Sequence, residues 1–109
     1  MKSKLHQARV TGTEKDYAGS IVVDADLLEA ADIAVGERVQ IVNINNGARF
    51  ETYTIEGDTG QVEINGAAAR LVEPGDVIII ISYGLYEADE RPDATVLILD
   101  EDNRVAERL

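Results

Sequence analysis

Few side chains in this sequence can do covalent chemistry, and the first that can is a serine that follows a glycine, in the pair Gly19-Ser20. Glycine lacks a Cβ, tolerates strained or left-handed backbone and leaves its carbonyl open, so the Ser20 hydroxyl is able to attack it. That attack turns the amide into an ester. β-Elimination then cleaves the chain and leaves dehydroalanine, which hydrolyses to a pyruvoyl group on residue 20. A bare Gly-Ser pair is common in turns, so the chemistry depends on its surroundings. The other routes are closed: the 109 residues include no cysteine and one histidine, His6, which excludes thiolate nucleophiles, disulfides and Cys- or His-clustered metal sites. The acidic run Asp100-Glu101-Asp102-Asn103 lacks the glycine and distal glutamate of a Ca2+ loop. It reads as part of a polar, partly mobile tail over 100–109, and no metal is expected.

The charge balance narrows the partners. Ten Lys/Arg against twenty-one Asp/Glu give a net charge of -11, so neither a phosphate backbone nor an anionic membrane surface is expected to bind. Residues 1–54 hold six basic and eight acidic side chains, whereas residues 55–109 hold four and thirteen. A set of basic residues in the first half could hold an acidic substrate in so acidic a chain. The longest apolar run, Val77 to Ile81, is too short to span a bilayer, and no apolar core follows Lys2 and Lys4. A soluble cytoplasmic protein of one domain is expected.

Alternation of apolar and polar residues dominates the elements that must position these groups. Lys4 to Thr11 reads as a strand with Leu5 on one face and Lys4, His6 and Ala8 on the other. Gly12 to Lys15 breaks it, and Ser20 to Val23 resumes as strand, with Gly19-Ser20 at the loop-to-strand junction. Asp24 reads as the N-cap of a short helix to about Ala31, with Asp26 in its first turn. Glu37 to Asn43 and Ala48 to Ile55 form a hairpin about Asn45-Asn46-Gly47, which sets Arg49, Glu51 and Tyr53 on one face and Phe50, Thr52 and Thr54 on the other. Gln61 to Ile64, Asp76 to Tyr83 and Ala94 to Leu99 are further strands. The run Val77 to Ile81 is apolar on both faces, as in a central or interface strand. About seven short strands and one helix predict a small closed β-barrel, and its spare apolar surface predicts a homo-oligomer.

Five stretches occur in one order: Lys4-Leu5-His6, Tyr17-Ala18-Gly19-Ser20-Ile21, Asn46 to Tyr53, Asn65-Gly66-Ala67-Ala68-Ala69, and Gly75 to Ile79. Together they closely resemble the pyruvoyl-dependent aspartate 1-decarboxylases, from Lys4 to about Leu99. The resemblance implies a mainly β fold, a six- to seven-stranded double-psi β-barrel with one or two short helices. It also implies a homotetramer and self-cleavage between Gly19 and Ser20, giving a β chain (1–19) and an α chain (20–109). The implied reaction decarboxylates L-aspartate to β-alanine and CO2 through a Schiff base, supplying β-alanine for pantothenate and coenzyme A. The cofactor is then the covalent pyruvoyl group from Ser20, an electron sink like pyridoxal phosphate.

The same resemblance distributes roles. Arg49 matches an arginine that pairs with a substrate carboxylate, where a planar guanidinium gives a bidentate grip. Lys4 matches a lysine at the site, and His6 on the same strand face is assigned to orienting groups during processing. Tyr53 matches the residue that returns a proton after CO2 departs. Thr52 matches a threonine that contacts the Gly19 carbonyl during processing, although it points to the face opposite Tyr53 unless a bend or bulge intervenes. Asn65 matches a hydrogen-bonding residue of the site, Gly66, Ala67 and Ala68 offer backbone groups and little bulk to the substrate, and Tyr17 lies near the cleavage bond. Two other readings stay open: a pyruvoyl decarboxylase for another acidic amino acid, and a non-catalytic small β-barrel binding module that never cleaves itself. Cleavage itself has two open routes, spontaneous or assisted by a maturation factor.

Overall fold

Wherever the sequence alternates, the chain becomes strand. The computed structural model describes residues 1–90 and 92–109. Its strands are β1 (Ser3–Arg9), β2 (Gly12–Glu14), β3 (Ser20–Asp24), β4 (Arg38–Asn43), β5 (Arg49–Gly57), β6 (Val62–Asn65), β7 (Val77–Ser82), β8 (Thr95–Leu99) and β9 (Val105–Arg108). They are joined by one α-helix, α1 (Ala25–Ala30), and a 3-10 turn, Gly66–Leu71. Asp24 caps α1 as the sequence predicts: its Oδ1 accepts from the Asp26 N–H at 2.8 Å, and its Oδ2 accepts from the Gly60 N–H at 2.8 Å. One buried carboxylate thus fixes both the helix start and the turn between β5 and β6.

The strand order is β2-β6-β3-β5-β4-β7-β1-β8-β9. β1 and β2 are one run of chain bent at Val10-Thr11. β1 pairs with β7 and β8, β2 pairs with β6, and at the bend the Thr11 N–H donates to the Val62 carbonyl at 2.7 Å. The bend therefore closes the sheet into a barrel. With β1 and β2 counted as one run, the ring holds six strands, as expected. The total of nine reflects that split and the β8–β9 hairpin laid along the outer edge of β1.

The core lies inside the ring. Leu5, Ile21, Ile41, Ile64, Ile78, Ile80 and Leu97 are fully buried, each contributing roughly 1.5–3 kcal/mol relative to exposure. β7 sits between β4 and β1, with Ile78 and Ile80 in the core while Val77 and Ile79 are only half-buried on its outer side. That matches an apolar strand that is central and also backs a second surface.

Three expectations are corrected. Ala8 shares the core with Leu5 instead of facing away with Lys4, because the register slips between Leu5 and Ala8 and Gln7 takes a left-handed φ of 65°. Gly12 to Glu14, expected to break the pattern, forms a strand parallel to β6. The C-terminal stretch is not a mobile tail, since Val105–Arg108 pairs with β8 and Asn103 is buried. Asn103 Nδ2 donates to the carbonyls of Arg9 and Gly60 at 2.9 and 3.0 Å, and its Oδ1 accepts from the Arg9 N–H at 2.7 Å. Those bonds anchor the hairpin across the barrel. The acidic run beside it serves the same turn, for Asp100 Oδ1 accepts from the Asp102 and Arg104 N–H groups.

Candidate active site

Ser20 opens β3 and is 1% exposed although it follows an exposed loop. It lies opposite Asn65 in the β3–β6 register, and Asn65 Nδ2 donates to Ser20 Oγ at 3.0 Å. Both side chains are buried, so this hydrogen bond is sheltered from water and orients the hydroxyl oxygen.

The 3-10 turn that follows Asn65 presses on the residues before Ser20. Gly66 has φ +76°, and a Cβ built there would stand 2.7 Å from Gly19 Cα and 3.2 Å from the Tyr17 carbonyl oxygen. Only glycine fits, for backbone conformation and for space. The left-handed backbone that glycine tolerates is found at Gly66 and not at Gly19. Gly19 itself is exposed, with nothing within 4 Å of a would-be Cβ. Ala67 is exposed beside Gly66, Ala68 packs partly on the core, and the Tyr17 side chain points to solvent.

β5 supplies the other wall. It runs parallel to β3 with Ile21 opposite Thr54; continued backwards, that register sets Ser20 level with Tyr53 and Gly19 level with Thr52. The β4–β5 register is unbroken from Arg38–Tyr53 to Val42–Arg49. Thr52 therefore stays on the inner face and Tyr53 on the outer, without the bulge that would have turned them together.

A hollow of about 260 Å³ next to this point is lined by Glu14, Tyr17, Val22, Ile55, Glu63 and Asn65. Among the described residues, two carboxylates and no cation line it. The cations named from the sequence lie elsewhere on the barrel. Arg49 is on the outer face of β5, four residues before Tyr53, a separation of about 13 Å along a strand. Lys4 lies in β1, with β5, β4 and β7 between it and β3. It shares a cross-strand row with Ile81, Gln40 and Glu51. One chain thus brings together Tyr17, Gly19, Ser20, Thr52, Tyr53, Asn65 and Gly66, and separately presents Lys4 and Arg49 on an outer face. His6 is half-buried two residues from Lys4, and burial first, then the Lys4 charge, lowers its pKa from 6.5. Neutral imidazole is the favoured form there.

Gln40 and Arg38 were not named from the sequence. Arg49 Nη1 donates to Gln40 Oε1 at 3.3 Å, and Arg38 forms an ion pair with Glu51. The hairpin register set by Asn46-Gly47 was the signal that would have found both pairs. Among the described residues no cluster of metal-ligating side chains occurs, and no helix is long and apolar enough to cross a membrane.

The aspartate decarboxylase family model matches residues 1–106. The chain belongs to the aspartate decarboxylase family. It is 72% identical over 108 residues to the aspartate 1-decarboxylase of Haloquadratum walsbyi, covering 99% of this chain and 95% of that one. It is 54% identical to the enzymes of the same name from Acetivibrio thermocellus (96% of this chain, 86% of that one) and Shouchella clausii (100% and 89%). Among solved structures, two rationally designed double-psi β-barrels, mkDPBB_sym_86 and mkDPBB_sym1, superpose with TM-scores of 0.53 and 0.51. They cover 72% and 73% of this chain and 95% and 96% of their own, at 14% and 18% identity. Those two establish the fold alone: a double-psi β-barrel, as the family's motifs imply.

Proposed function

We propose that this chain is a pyruvoyl-dependent aspartate 1-decarboxylase that cleaves itself between Gly19 and Ser20 into residues 1–19 and 20–109. The β-alanine it releases would feed pantothenate and coenzyme A synthesis. The observation that carries the reading is the Ser20 hydroxyl, buried, held by Asn65 and preceded by an exposed glycine whose backbone packs against Gly66. Family membership supports the substrate.

The residues present fit a pyruvoyl group at position 20. Asn65 Nδ2 is a donor already aimed at the Ser20 side chain, and Gly66 keeps bulk away. When in place, the group supplies the electron sink for loss of CO2 from an amino acid. The protein's own side chains do the rest. In processing, Asn65 orients Ser20 Oγ and Thr52, level with Gly19, offers its hydroxyl to the Gly19 carbonyl. Tyr17 and His6 are assigned to the same step. In turnover, Arg49 binds a substrate carboxylate in a bidentate grip, Lys4 adds the second cation, and Asn65 with the backbone of Gly66, Ala67 and Ala68 bounds the substrate. Tyr53 Oη returns a proton to the carbon that has lost CO2.

Among the described residues the hollow beside Ser20 is lined by Glu14 and Glu63 and by no cation, so the wall of a single chain is electrostatically unfavourable to the substrate it must bind. This favours a homotetramer in which the outer face bearing Arg49 and Lys4 meets the Ser20 wall of a neighbour. Half-buried Ile79 and Val42 between those cations give that face apolar area to bury.

Denatured mass spectrometry of the purified protein tests processing. Two fragments divided after Gly19 are expected, the larger one ammonia lighter than hydrolysis would give, with a borohydride-sensitive carbonyl. A full-length mass after warm incubation, alone or with a lysate as the source of a maturation factor, would leave the binding-module reading standing. Mixing inactive Ser20→Ala with inactive Arg49→Ala subunits tests the shared site: activity is expected to return in the mixed oligomer, and its failure to return would place both residues in one chain's site. Comparing kcat/KM for aspartate and glutamate fixes the substrate.

A further inference from the structure

On the outer face of the β4–β5 hairpin every long polar side chain of β4 reaches past its own register partner. Arg38 lies opposite Tyr53 yet pairs with Glu51, and Gln40 lies opposite Glu51 yet accepts from Arg49. Each reaches the β5 residue two positions before its partner, a diagonal that long side chains span across antiparallel strands. The result is an ordered assignment of charge. Glu51, on the same strand face as Arg49 and two residues away, is engaged by Arg38. Arg49 is met by a neutral amide.

We propose that Gln40 is a positioning residue that aims the Arg49 guanidinium without neutralising it, while Arg38 keeps the Glu51 carboxylate from claiming it. The inference rests on the reading of Arg49 as the ligand of a substrate carboxylate and adds what prepares it for that task. Gln40 Oε1 accepts from two donors, Arg49 Nη1 at 3.3 Å and the Tyr83 hydroxyl at 3.0 Å. An arginine nitrogen can only donate, so the amide carbonyl must face it. Tyr83 holds that amide from the far side, on the segment that leaves β7. A carbonyl oxygen can fix one guanidinium nitrogen and leave the remaining donors and the whole positive charge for an incoming carboxylate. A carboxylate at the same place would compete with the substrate. In a chain of net charge -11, with Glu51 two residues away, the hairpin diagonals pair Arg49 with an amide and Glu51 with Arg38.

The test uses succinate, a dicarboxylate without the amine, and reads its dissociation constant by calorimetry on the processed protein. Aspartate KM and kcat are measured beside it. Gln40→Glu is expected to weaken succinate binding and raise KM about three- to fivefold, the scale of an exposed ion pair, with kcat within twofold. Gln40→Met keeps the length, removes the strong acceptor and adds no charge; it is expected to raise both by less. Arg38→Gln frees Glu51 and is expected to act like Gln40→Glu through a different residue, which keeps the proposal testable if either variant folds poorly. Succinate binding unchanged in both Gln40→Glu and Arg38→Gln, while Arg49→Ala abolishes it, would overturn the roles of Gln40 and Arg38 and leave Arg49 in place. Binding unchanged in Arg49→Ala would overturn the underlying reading of Arg49 and this inference with it. A fall in kcat without a change in KM would also overturn it, because that pattern marks an interaction made only in the transition state and not the preparation of Arg49 for binding a carboxylate.

Discussion

Gly66 and Gly19 meet backbone to backbone: a side chain on the first would collide with the Cα of the second at 2.7 Å. The contact joins the 3-10 turn after β6 to the loop residue next to Ser20, so whatever moves the turn moves the scissile bond.

Gly66→Ala is therefore expected to damage processing more than folding. Left-handed φ costs an L-residue roughly 1–2 kcal/mol, and relieving the clash must displace Gly19 or the turn. The expected outcome is a folded protein with a lowered Tm whose cleavage, followed by mass over time, is at least tenfold slower. Cleavage at the native rate would mean that Gly19 is free to shift without consequence.

Asn65→Ala removes the hydrogen bond to Ser20 Oγ and leaves a buried hydroxyl without its donor. A net loss of about 1 kcal/mol predicts cleavage slowed about fivefold by misorientation alone. Asn65→Asp replaces the donor with an acceptor and should slow it further. The same mass assay reads both variants, and equal rates in wild type and Asn65→Ala would remove Asn65 from processing.

Much of this arrangement was legible in the sequence because local rules wrote it. Asn46-Gly47 fixed the hairpin and hence the sides taken by Arg49, Glu51 and Tyr53, and Asp24 announced α1. The five ordered motifs, Gly19-Ser20 among them, pointed to the family. Long-range partners were not legible. Nothing near Gln7 signals the register slip that turns Ala8 inward, since it answers pairing with β7 seventy residues on. Asn103 sits in an acidic stretch that looks solvated, and its burial depends on backbone groups of Arg9 and Gly60. Gln40 and Arg38 needed the hairpin register to be extended to diagonals, a step the face pattern alone does not supply.

Glu37 predicts the acid limb of stability. Its carboxylate accepts hydrogen bonds from Ser82 Oγ, from the Ala34 N–H at 3.0 Å and from Lys2 Nζ at 3.1 Å. Burial raises its pKa, but the Ser82, Ala34 and Lys2 interactions outweigh that and hold it below the ordinary 4.5. The folded state thus binds this proton more weakly than the unfolded chain. Its stabilising contribution is complete above about pH 4.5 and is lost as pH falls from there through the lowered value. Glu37→Gln should lower Tm at pH 7 and flatten the fall of Tm below pH 4.5. Parallel Tm–pH curves for the two proteins would assign the acid limb to other carboxylates. His6, whose pKa is also lowered, binds its proton more weakly in the folded state too, so its contribution fades as pH falls below 6.5.

Salt should stabilise this protein. Ten cations against twenty-one anions leave a self-repelling surface, and assembly of four chains would bring those surfaces together. Screening shortens from about 10 Å in 0.1 M salt to about 3 Å in 1 M, which suppresses repulsion between separated carboxylates and spares close pairs such as Lys2–Glu37. A gain of about 1 kcal/mol would raise Tm by roughly 4–8 °C for a domain of this size, so a rise of that order between 0.1 and 1 M KCl is expected. The triple change Glu56→Gln, Asp93→Asn, Glu107→Gln removes three exposed negative charges without touching the barrel core. It should raise Tm in low salt and shrink the response to KCl. An undiminished response would mean that salt acts through burial of apolar surface, the part of the ledger that neutralising carboxylates leaves alone.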